Sequence, residues 1–287
     1  MKGLILAGGT GSRLWPLTVA TSKQLIPVYD KPTIYYPLTT LINQGITSVA
    51  IISTQRDVLA MKNLLGSGSD FGIEIEYLVQ DSPNGIAEAF LIAESFIDEN
   101  PVTLILGDNI FSGINTESQE LFDGAQIFLY EVSNPRDYGN AAIDASGKVT
   151  LLIEKPEIPL SPFAVTGMYR FDGRVSKFAA TLKPSKRGEL EIIDLLEIYL
   201  KADQLRAHKL PRGSVWLDTG TVEGLSSASE FVRVVQLRQG TMIGSPHLAA
   251  FNLGHVSDLE MQSFLKARNS EYAALLREQI SRSRNLI

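Results

Sequence analysis

The stretch Met1-Lys2-Gly3-Leu4-Ile5-Leu6-Ala7-Gly8-Gly9-Thr10-Gly11-Ser12-Arg13-Leu14 decides the fold and the chemistry expected of the chain. Its first seven residues predict a short buried strand, because residues 4–6 form an unbroken apolar run. Three glycines follow in four positions, and glycine, without a Cβ, lets a ligand approach the peptide N–H groups. Arg13 adds a planar guanidinium suited to phosphate oxygens. The stretch predicts a loop that wraps the phosphates of a nucleotide, with a tight turn and an unrelated arginine as the alternative.

Two other glycine motifs fit less well. A P-loop would end in Gly-Lys-Ser/Thr, which this loop does not have. A dinucleotide-binding fingerprint fits in part, since Gly9-x-Gly11 is followed by an acid, Asp30, about twenty residues on. Against it, Leu14 stands at the third glycine position, and Pro16 and Pro27 interrupt the expected helix and strand. An NAD-type site is therefore disfavoured.

The composition indicates a globular protein with an acidic balance. Its 287 residues can form one large α/β domain or two small ones, and 44% hydrophobic residues supply a core. A net charge of −6 argues against a protein that coats nucleic acid, so a local basic site would have to gather an anionic substrate. The absence of cysteine excludes disulfides and thiolate chemistry. No signal peptide is visible and no apolar run approaches the ~20 residues of a membrane helix, so we expect a cytoplasmic protein without membrane partners.

Strand and helix patterns alternate through the first third of the chain. Apolar runs predict three buried strands, over residues 1–7, 48–53 and 101–106, and alternation predicts a half-exposed strand over residues 73–79. Helical periodicity predicts a helix that starts near Pro37 and helices over residues 56–65 and 85–97. This order predicts an α/β fold: a Rossmann-like mixed, mostly parallel sheet with helices on both faces, followed by a helical C-terminal cap.

From residue 125 onward, strands follow one another with only turns between them. They are predicted over residues 126–132, 140–143, 149–153 and 163–171, with a hairpin turn at residues 145–147. Helices are predicted over residues 191–202, 225–238 and 270–280, and Ser257 with Glu260 forms a capping-box pattern. We therefore divide the chain into an α/β domain, residues 1–221, and a helical C-terminal extension packed on it, residues 222–287.

One aspartate follows the third buried strand. Asp108 sits in Leu106-Gly107-Asp108-Asn109, and ligands of open α/β sheets bind beyond the carboxyl ends of the strands. If the first and third strands are neighbours, Asp108 lies beside the glycine loop. A carboxylate there suits Mg²⁺ that is also bound by phosphates. The alternative is a turn aspartate before Asn109.

A second aspartate lies in Val215-Trp216-Leu217-Asp218-Thr219-Gly220. Asp-Thr-Gly is typical of aspartic proteases, but those enzymes need two aspartates that share a proton, and the motif occurs once here. The alternative role for Asp218 is an N-cap of the helix that follows. His208, His247 and His255 show no ligand-like grouping, and no constellation for covalent catalysis is visible.

A long composite motif joins these parts. After the glycine loop the chain reads Trp15-Pro16-Leu17-Thr18, then Lys23-Gln24-Leu25-Ile26-Pro27, then Ile34-Tyr35-Tyr36-Pro37-Leu38. It resembles the sugar-1-phosphate nucleotidyltransferases, whose signature is an apolar strand, G-G-x-G-x-R-L, x-P-L-T and K-x-L-x-P or K-Q-L-x-P. The Lys23-Gln24 variant and residues 34–38 look particularly like the glucose-1-phosphate thymidylyltransferases. The resemblance continues to about residue 240 and then thins.

The resemblance implies a set of site residues. Asp108 and Asp218 would hold Mg²⁺, a pairing that sequence spacing alone does not give. Arg13, Lys23 and Lys155 would be catalytic, holding the departing pyrophosphate, the triphosphate and the sugar phosphate in that order. The nucleotide-binding residues would be Gly8, Gly9, Thr10, Gly11, Arg13, Lys23, Gln24, Gln80, Pro83, Gly85 and Asp108. The sugar-phosphate-binding residues would be Ile86, Tyr138, Gly139, Glu154, Lys155, Val165, Tyr169 and Glu189. Without the resemblance, these segments would be assigned to a surface turn, a solvated strand end, strand core and the first turn of a helix.

The implied reaction joins dTTP and α-D-glucose 1-phosphate into dTDP-glucose and pyrophosphate, with Mg²⁺ as cofactor. The resemblance also implies a homo-oligomer, a tetramer. Alternatives are a transferase for UTP or another sugar 1-phosphate, a catalytically silent nucleotide-sugar sensor and an NAD oxidoreductase. Intact Arg13, Lys23, Asp108 and Asp218 argue against the sensor, which has no need to hold a leaving group.

The chain departs from the resembling family in one region. There the family usually carries a regulatory nucleotide site, with D-N-I-F-Y-G-H and later R-Q-G-x-K, C-P-E-E-I-A and R-K-G. This chain has Ser112 and Ile114 in place of the aromatic and imidazole side chains, and Met242, Asn252 and Leu253 in place of basic ones. Because a pyrophosphate needs cations, we expect feedback by dTDP-rhamnose to be weak or absent. The alternatives are sequence drift in a peripheral cap and a regulatory site rebuilt from other residues.

Overall fold

The computed structural model describes residues 1–114 and 123–285. In the parallel half of the fold the elements are β1 (Lys2–Leu6), β2 (Pro27–Val28), β3 (Lys31–Pro32), α1 (Tyr35–Asn43), β4 (Ser48–Ser53), α2 (Val58–Leu65), β5 (Glu74–Val79), α3 (Glu88–Ile92), α4 (Glu94–Ile97), β6 (Val102–Leu106) and β7 (Asn109–Ser112). The elements that follow are β8 (Ala125–Glu131), β9 (Asn140–Ile143), β10 (Val149–Ile153), β11 (Phe163–Phe171), α5 (Val175–Ala179), α6 (Ile192–Lys201), β12 (Leu205–Lys209) and β13 (Val215–Asp218). The C-terminal helices are α7 (Val222–Gln239), α8 (Pro246–Asn252), α9 (Asp258–Lys266) and α10 (Glu271–Asn285).

Among the described residues, nine strands form one mixed sheet. Its hydrogen-bonded order is β10-β9-β11-β6-β1-β4-β5, with β8 paired to β11 and β12 paired to β8. The block β6-β1-β4-β5 is parallel, and β11 joins it antiparallel to β6. The strands predicted over residues 1–7 and 101–106 are therefore neighbours, with Leu6 opposite Leu106, and the predicted mixed, mostly parallel α/β architecture is confirmed.

Helices cover both faces of the sheet because its central strands are apolar on both sides. Ile5 and Ile51 pack on one face with Leu38 of α1 and with the C-terminal helices. Leu4 packs on the opposite face with Phe90 of α3 and with α5 and α6. Neighbouring residues of a strand point to opposite faces, so an unbroken aliphatic run needs two covering layers.

The observed elements differ from the predicted ones in a few places. The helix predicted over residues 85–97 begins at Glu88 and is divided at Ala93 into α3 and α4. Gly85 lies outside it with φ of 106°, a left-handed value. The pattern did not predict β7, β12, β13, α5 or α8. These segments are short, and pairing or packing with distant residues defines them, as in β12 beside β8 and β13 beside β7.

The C-terminal helices extend the core of one face. Met242, Ala249 and Leu276 belong to the same buried cluster as α1 and the central strands. The predicted capping box is present, since Ser257 Oγ accepts from the backbone N–H of Glu260 and the Glu260 carboxylate accepts from the backbone N–H of Ser257. The division at residues 221 and 222 stays a prediction. Within the described residues, no helix has the length and apolar character needed to cross a membrane.

Candidate active site

A cleft of about 410 Å³ opens at the carboxyl ends of β1 and β6. It is lined by Leu6, Gly8, Gly9, Arg13, Lys23, Gln80, Pro83, Gly85, Ile86, Leu106, Asp108, Asn109, Asp137, Tyr138, Gly139, Glu154, Lys155, Val165, Gly167, Tyr169, Arg187, Glu189, Glu191, Ile192, Ile193, Trp216 and Asp218. All of the sequence-predicted site residues except Thr10, Gly11 and Gln24 are among them. The structure thus brings residues from nine separate segments to the edge of the sheet where an α/β fold binds its ligand.

Asp108 lies at the base of this cleft. It is buried, and its carboxylate accepts hydrogen bonds from the ammonium of Lys23 and from Nδ2 of Asn109, the second at 3.0 Å. Burial disfavours the charged form, but the charge of Lys23 and the two hydrogen bonds outweigh burial and hold the pKa of Asp108 below its ordinary value. Asp108 is therefore a carboxylate at neutral pH, and it is not merely a turn aspartate.

Asp218 is brought to Asp108 by strand pairing. In the antiparallel pair of β13 with β7, Asp218 lies opposite Asn109. Thr219 strengthens the junction, because its backbone N–H and its hydroxyl both donate to the carbonyl of Asp108, at 3.0 and 2.9 Å. The N-cap of α7 is Thr221, whose hydroxyl accepts from the N–H of Gly224. Asp218 is therefore not the helix cap that local sequence suggested.

The two aspartates influence each other electrostatically. Burial and then the negative charge of Asp108 raise the pKa of Asp218, against the opposing effects of the N–H of Gly220 and the cations Lys23 and Arg13. Oδ1 of Asp218 accepts from Gly220 N–H at 2.8 Å. A Cβ on Gly220 would lie 2.9 Å from both Nη2 of Arg13 and Oδ1 of Asp218, so this glycine allows the guanidinium to approach the acidic pair.

This donor set fits a hard divalent cation. Two carboxylates line one cleft, and a bound dication would relieve the repulsion by Asp108 that adds to burial in raising the pKa of Asp218. No group of three or more His, Cys, Asp or Glu side chains with metal-ligating geometry occurs within residues 1–114 and 123–285. Mg²⁺ commonly uses one or two carboxylates and takes its remaining ligands from water and substrate phosphates. The metal assignment stays a prediction.

One wall of the cleft is formed by the segment from Gln80 to Ile86. Gln80 is buried, and its Nε2 donates to Oε2 of Glu88 at 2.7 Å. The segment is tied to the opposite wall by backbone hydrogen bonds, from Leu190 N–H to Asn84 O at 2.6 Å and from Ala87 N–H to Leu190 O at 3.1 Å. The segment from Gln80 to Ile86 and the loop that carries Glu189 are therefore connected.

The opposite wall carries the predicted sugar-phosphate residues. Glu154 and Lys155 follow β10, and Nζ of Lys155 lies 3.7 Å from Oε1 of Glu154. Lys155 has φ of 41°, an uncommon value for a residue with a side chain. A Cβ on Gly139 would lie 3.3 Å from Oε2 of Glu154, so glycine at this position leaves room beside the Glu154 carboxylate. Burial and then the charge of Glu154 raise the pKa of Tyr169, which keeps this phenol neutral.

Three predicted residues lie outside the cleft lining. Gln24 is buried and accepts a hydrogen bond from Ser22 Oγ, and its Cγ would be 2.9 Å from a Cβ on Gly107. Gln24 therefore packs against the backbone next to Asp108 and does not line the cleft. Gly11 has φ of 62° and packs against Thr18, and Thr10 is exposed. Direct nucleotide contacts from Thr10, Gly11 and Gln24 stay predictions.

Several residues that line the cleft were not predicted from the sequence. Arg187, a cation, and Trp216, a hydrogen-bond donor, are the most relevant of them to the site. Arg187 forms a bidentate ion pair with Glu191 and lies 3.8 Å from Glu189 and 3.9 Å from Glu154. It stands in an acidic first-turn segment, where a solvated arginine is the ordinary interpretation. Trp216 is buried in β13, and its Nε1 donates to Oδ1 of Asn109 at 2.6 Å. Its place beside Asp218 in the sequence was the available signal.

Comparison with known proteins agrees with this geometry. Residues 2–234 match the sequence model of the family described as nucleotidyl transferase. The chain belongs to the nucleotidyl transferase family. This nucleotidyl transferase is 48% identical over 270 residues to a glucose-1-phosphate thymidylyltransferase from Mycolicibacterium smegmatis, covering 93% of this chain and 94% of that one. It is 46% identical over 284 residues to a glucose-1-phosphate thymidylyltransferase from Neisseria meningitidis, covering 96% of this chain and 99% of that one.

Solved structures share the fold of this nucleotidyl transferase. A crystal structure from Bacillus anthracis, assigned as a glucose-1-phosphate thymidylyltransferase in complex with sucrose, superposes with a TM-score of 0.74 at 39% identity, covering 81% of this chain and 95% of that one. A UDP-glucose pyrophosphorylase complexed with UDP-glucose superposes with a TM-score of 0.70 at 24% identity, covering 81% and 98%. The second likeness concerns the fold alone.

Proposed function

We propose that this enzyme is a glucose-1-phosphate thymidylyltransferase, which makes dTDP-glucose and pyrophosphate from dTTP and α-D-glucose 1-phosphate. The observation that carries the proposal is one cleft lined by the cations Arg13, Lys23, Lys155 and Arg187 together with the acidic pair Asp108 and Asp218. The two reacting molecules repel each other because both are anions, and four cations in one cleft offset that repulsion. The identity to the thymidylyltransferases above, over most of the chain, supports the choice of substrates.

The chemistry requires little covalent participation by the protein. An oxygen of the sugar phosphate attacks the α-phosphorus of dTTP in line, a new P–O bond forms, and the bond between the α-phosphorus and the bridging oxygen breaks. The attacking phosphate is already an anion near neutral pH, so no general base is needed. The leaving pyrophosphate gains negative charge as the bond breaks. The protein must orient the two phosphates and stabilise this charge.

The cations divide this work by position. Arg13 follows the glycine loop and lies next to Asp218, where its fork of donors suits the departing pyrophosphate. Lys23 contacts Asp108 at the base of the cleft and suits the triphosphate. Lys155 and Arg187 stand on the sugar side and suit the attacking phosphate, so we add Arg187 to the residues that the sequence suggested.

Asp108 and Asp218 would hold Mg²⁺. When bound, the ion would neutralise charge on the reacting phosphates. When no ion is bound, the charge of Lys23 keeps Asp108 ionised. Asn109 fixes the orientation of the Asp108 carboxylate. We also propose a cytoplasmic homo-oligomer, a tetramer, on the strength of the family resemblance.

The test is pyrophosphate release across a grid of dTTP, UTP, dCTP, ATP and GTP against glucose 1-phosphate and other sugar 1-phosphates, with the nucleotide sugar identified by mass spectrometry. The proposal expects dTTP with glucose 1-phosphate to give the highest kcat/KM. A clear preference for UTP would select the UTP-using alternative. An absence of pyrophosphate release with every pair would refute an active transferase.

A further inference from the structure

A carboxylate holds the amide of Gln80 in the wall of the cleft. Gln80 is 4% exposed, and its Nε2 donates to Oε2 of Glu88 at 2.7 Å. The other carboxylate oxygen, Oε1 of Glu88, accepts from Nδ2 of Asn84 at 2.8 Å. Glu88 thus accepts hydrogen bonds from both Asn84 and Gln80, and this second bond fixes the orientation of the Gln80 amide.

The hydrogen bond to Glu88 decides which atom of the Gln80 amide faces the glycine loop and the cleft. A carboxylate only accepts hydrogen bonds, so the NH₂ group of Gln80 must point to Glu88 and the carbonyl oxygen must point away from it. The carbonyl oxygen, Oε1, lies over the glycine loop, since a Cβ on Gly8 would be 2.4 Å from it. Within the part of the chain that the structure describes, this oxygen receives no hydrogen bond. Gln80 therefore offers the cleft an acceptor, while its NH₂ group is turned toward Glu88.

We infer that Glu88 is a specificity-determining residue. By orienting the Gln80 amide, it makes Gln80 select a base whose ring nitrogen facing this amide carries an N–H group. The inference rests on the proposed function and assigns the base of the nucleotide to Gln80, Pro83 and Gly85, three of the predicted nucleotide-binding residues that line the cleft. Thymine and uracil carry an N–H at N3, whereas N3 of cytosine carries a lone pair. Two acceptors placed face to face leave both groups unpaired and repel each other, which is an effective means of rejection. Glu88 would thus act through Gln80 against cytosine.

The variant Glu88→Gln tests this directly. Its side chain has the same size but can donate or accept, so the Gln80 amide is free to turn and present its NH₂ group to the cleft. We expect the ratio of kcat/KM for dTTP to that for dCTP to fall by about tenfold or more. The ratio for dTTP to dUTP should stay at the wild-type value, because these bases have the same edge at N3. A general loss of structure would not change one ratio and preserve the other.

Two further variants make the test decisive. Glu94→Gln is the matched control, since it removes the same charge from the exposed first turn of the neighbouring helix α4. It should leave both ratios unchanged. Gln80→Met removes the acceptor itself, and the ratio of dTTP to dCTP should fall here as well. Gln80→Met also tests the inference if Glu88→Gln proves too unstable to assay, as judged from its melting temperature.

The outcomes separate this inference from the proposed function. If both Glu88→Gln and Gln80→Met keep the ratio of dTTP to dCTP within about twofold of wild type, the inference is overturned while thymidylyl transfer stands. If the wild-type enzyme does not prefer dTTP over dCTP at all, the proposed substrate is wrong before any variant is compared. A fall of the ratio in both variants, with Glu94→Gln unchanged, supports the inference.

Discussion

The indole Nε1 of Trp216 donates a hydrogen bond to Oδ1 of Asn109 over 2.6 Å, and the backbone N–H of Gly167 donates to the same oxygen over 3.2 Å. Both donors fix the orientation of the amide, so its Nδ2 faces Asp108. A Cβ on Gly167 would lie 2.4 Å from Oδ1 of Asn109, so glycine is required in this position of β11. Asn109 thereby joins the acidic pair to the strand that carries Val165 and Tyr169.

Removing this amide should weaken the metal site. We expect Asn109→Ala to raise the Mg²⁺ concentration for half-maximal activity by about tenfold, because residues that orient metal ligands typically contribute this much. Trp216→Phe should give a smaller shift in the same direction. The direct measurement is Mn²⁺ binding by electron paramagnetic resonance. Trp15→Phe, a change at an exposed tryptophan outside the cleft lining, is the control. Unchanged Mn²⁺ affinity in Asn109→Ala would contradict the role.

The acidic pair should be essential for turnover. Asp108→Asn and Asp218→Asn should each lower kcat by about a thousandfold or more, because loss of metal-borne charge stabilisation costs several kcal/mol of barrier. Melting temperatures should remain near that of the wild type. Asp98→Asn, in an exposed turn at the opposite edge of the sheet, is the matched control and should keep full activity. Turnover near the wild-type level in either cleft variant at saturating Mg²⁺ would show that the metal assignment is wrong.

The two ends of the cleft should respond differently to loss of a cation. Arg13→Ala should lower kcat far more than it raises the KM for dTTP, because the leaving pyrophosphate gains charge mainly in the transition state. Lys155→Ala should mainly raise the KM for glucose 1-phosphate. Steady-state kinetics with each substrate varied separates the two effects, and Lys62→Ala on the exposed side of α2 serves as the control. An exchange of the two effects would reverse the placement of the substrates.

A second cleft, of about 440 Å³, lies between α1, β7 and the segment that leads into α8. Its lining includes Phe111, Ser112, Ile114, Met242 and Asn252, and none of the described residues that line it is charged. We therefore expect weak or no inhibition by dTDP-rhamnose when both substrates are saturating, which suppresses competition at the active site. Strong inhibition under those conditions would show that a regulatory site is present.

Acid should destabilise the fold through His247. Its ring is buried against Phe71, Phe264 and Tyr272, and burial, with a smaller effect of the charge of Arg268, lowers its pKa to about 3. The unfolded chain binds this proton near pH 6.5 and the folded one does not, so stability falls as the pH drops from 6.5 toward 3. Between pH 7 and pH 5 the loss is about 2 kcal/mol.

The test compares urea unfolding at pH 7 and pH 5 in the wild type and in His247→Asn, which keeps a hydrogen-bonding group but does not titrate in this range. The variant should lose about 2 kcal/mol less than the wild type between the two pH values. Equal losses in both proteins would show that His247 does not carry this part of the pH dependence.

The sequence by itself determined the parts that depend on local pattern. Aliphatic runs identified the central strands, and the position of Asp108 after one of them placed it at the edge where ligands bind. The glycine loop and Arg13 indicated phosphate binding, because backbone freedom and a forked cation are properties of the residues themselves. For these features neighbouring residues were sufficient.

Only the tertiary structure decided which distant residues meet. The pairing of Asp218 with Asp108 depends on the register of β13 with β7 and on the two hydrogen bonds from Thr219, and no local pattern encodes that register. In the same way, Glu88 orients the amide of Gln80 only because the turn between these residues brings their side chains together. The two carboxylates and the amide could be identified as site residues from the sequence. Their orientation depends on contacts between segments that are distant along the chain.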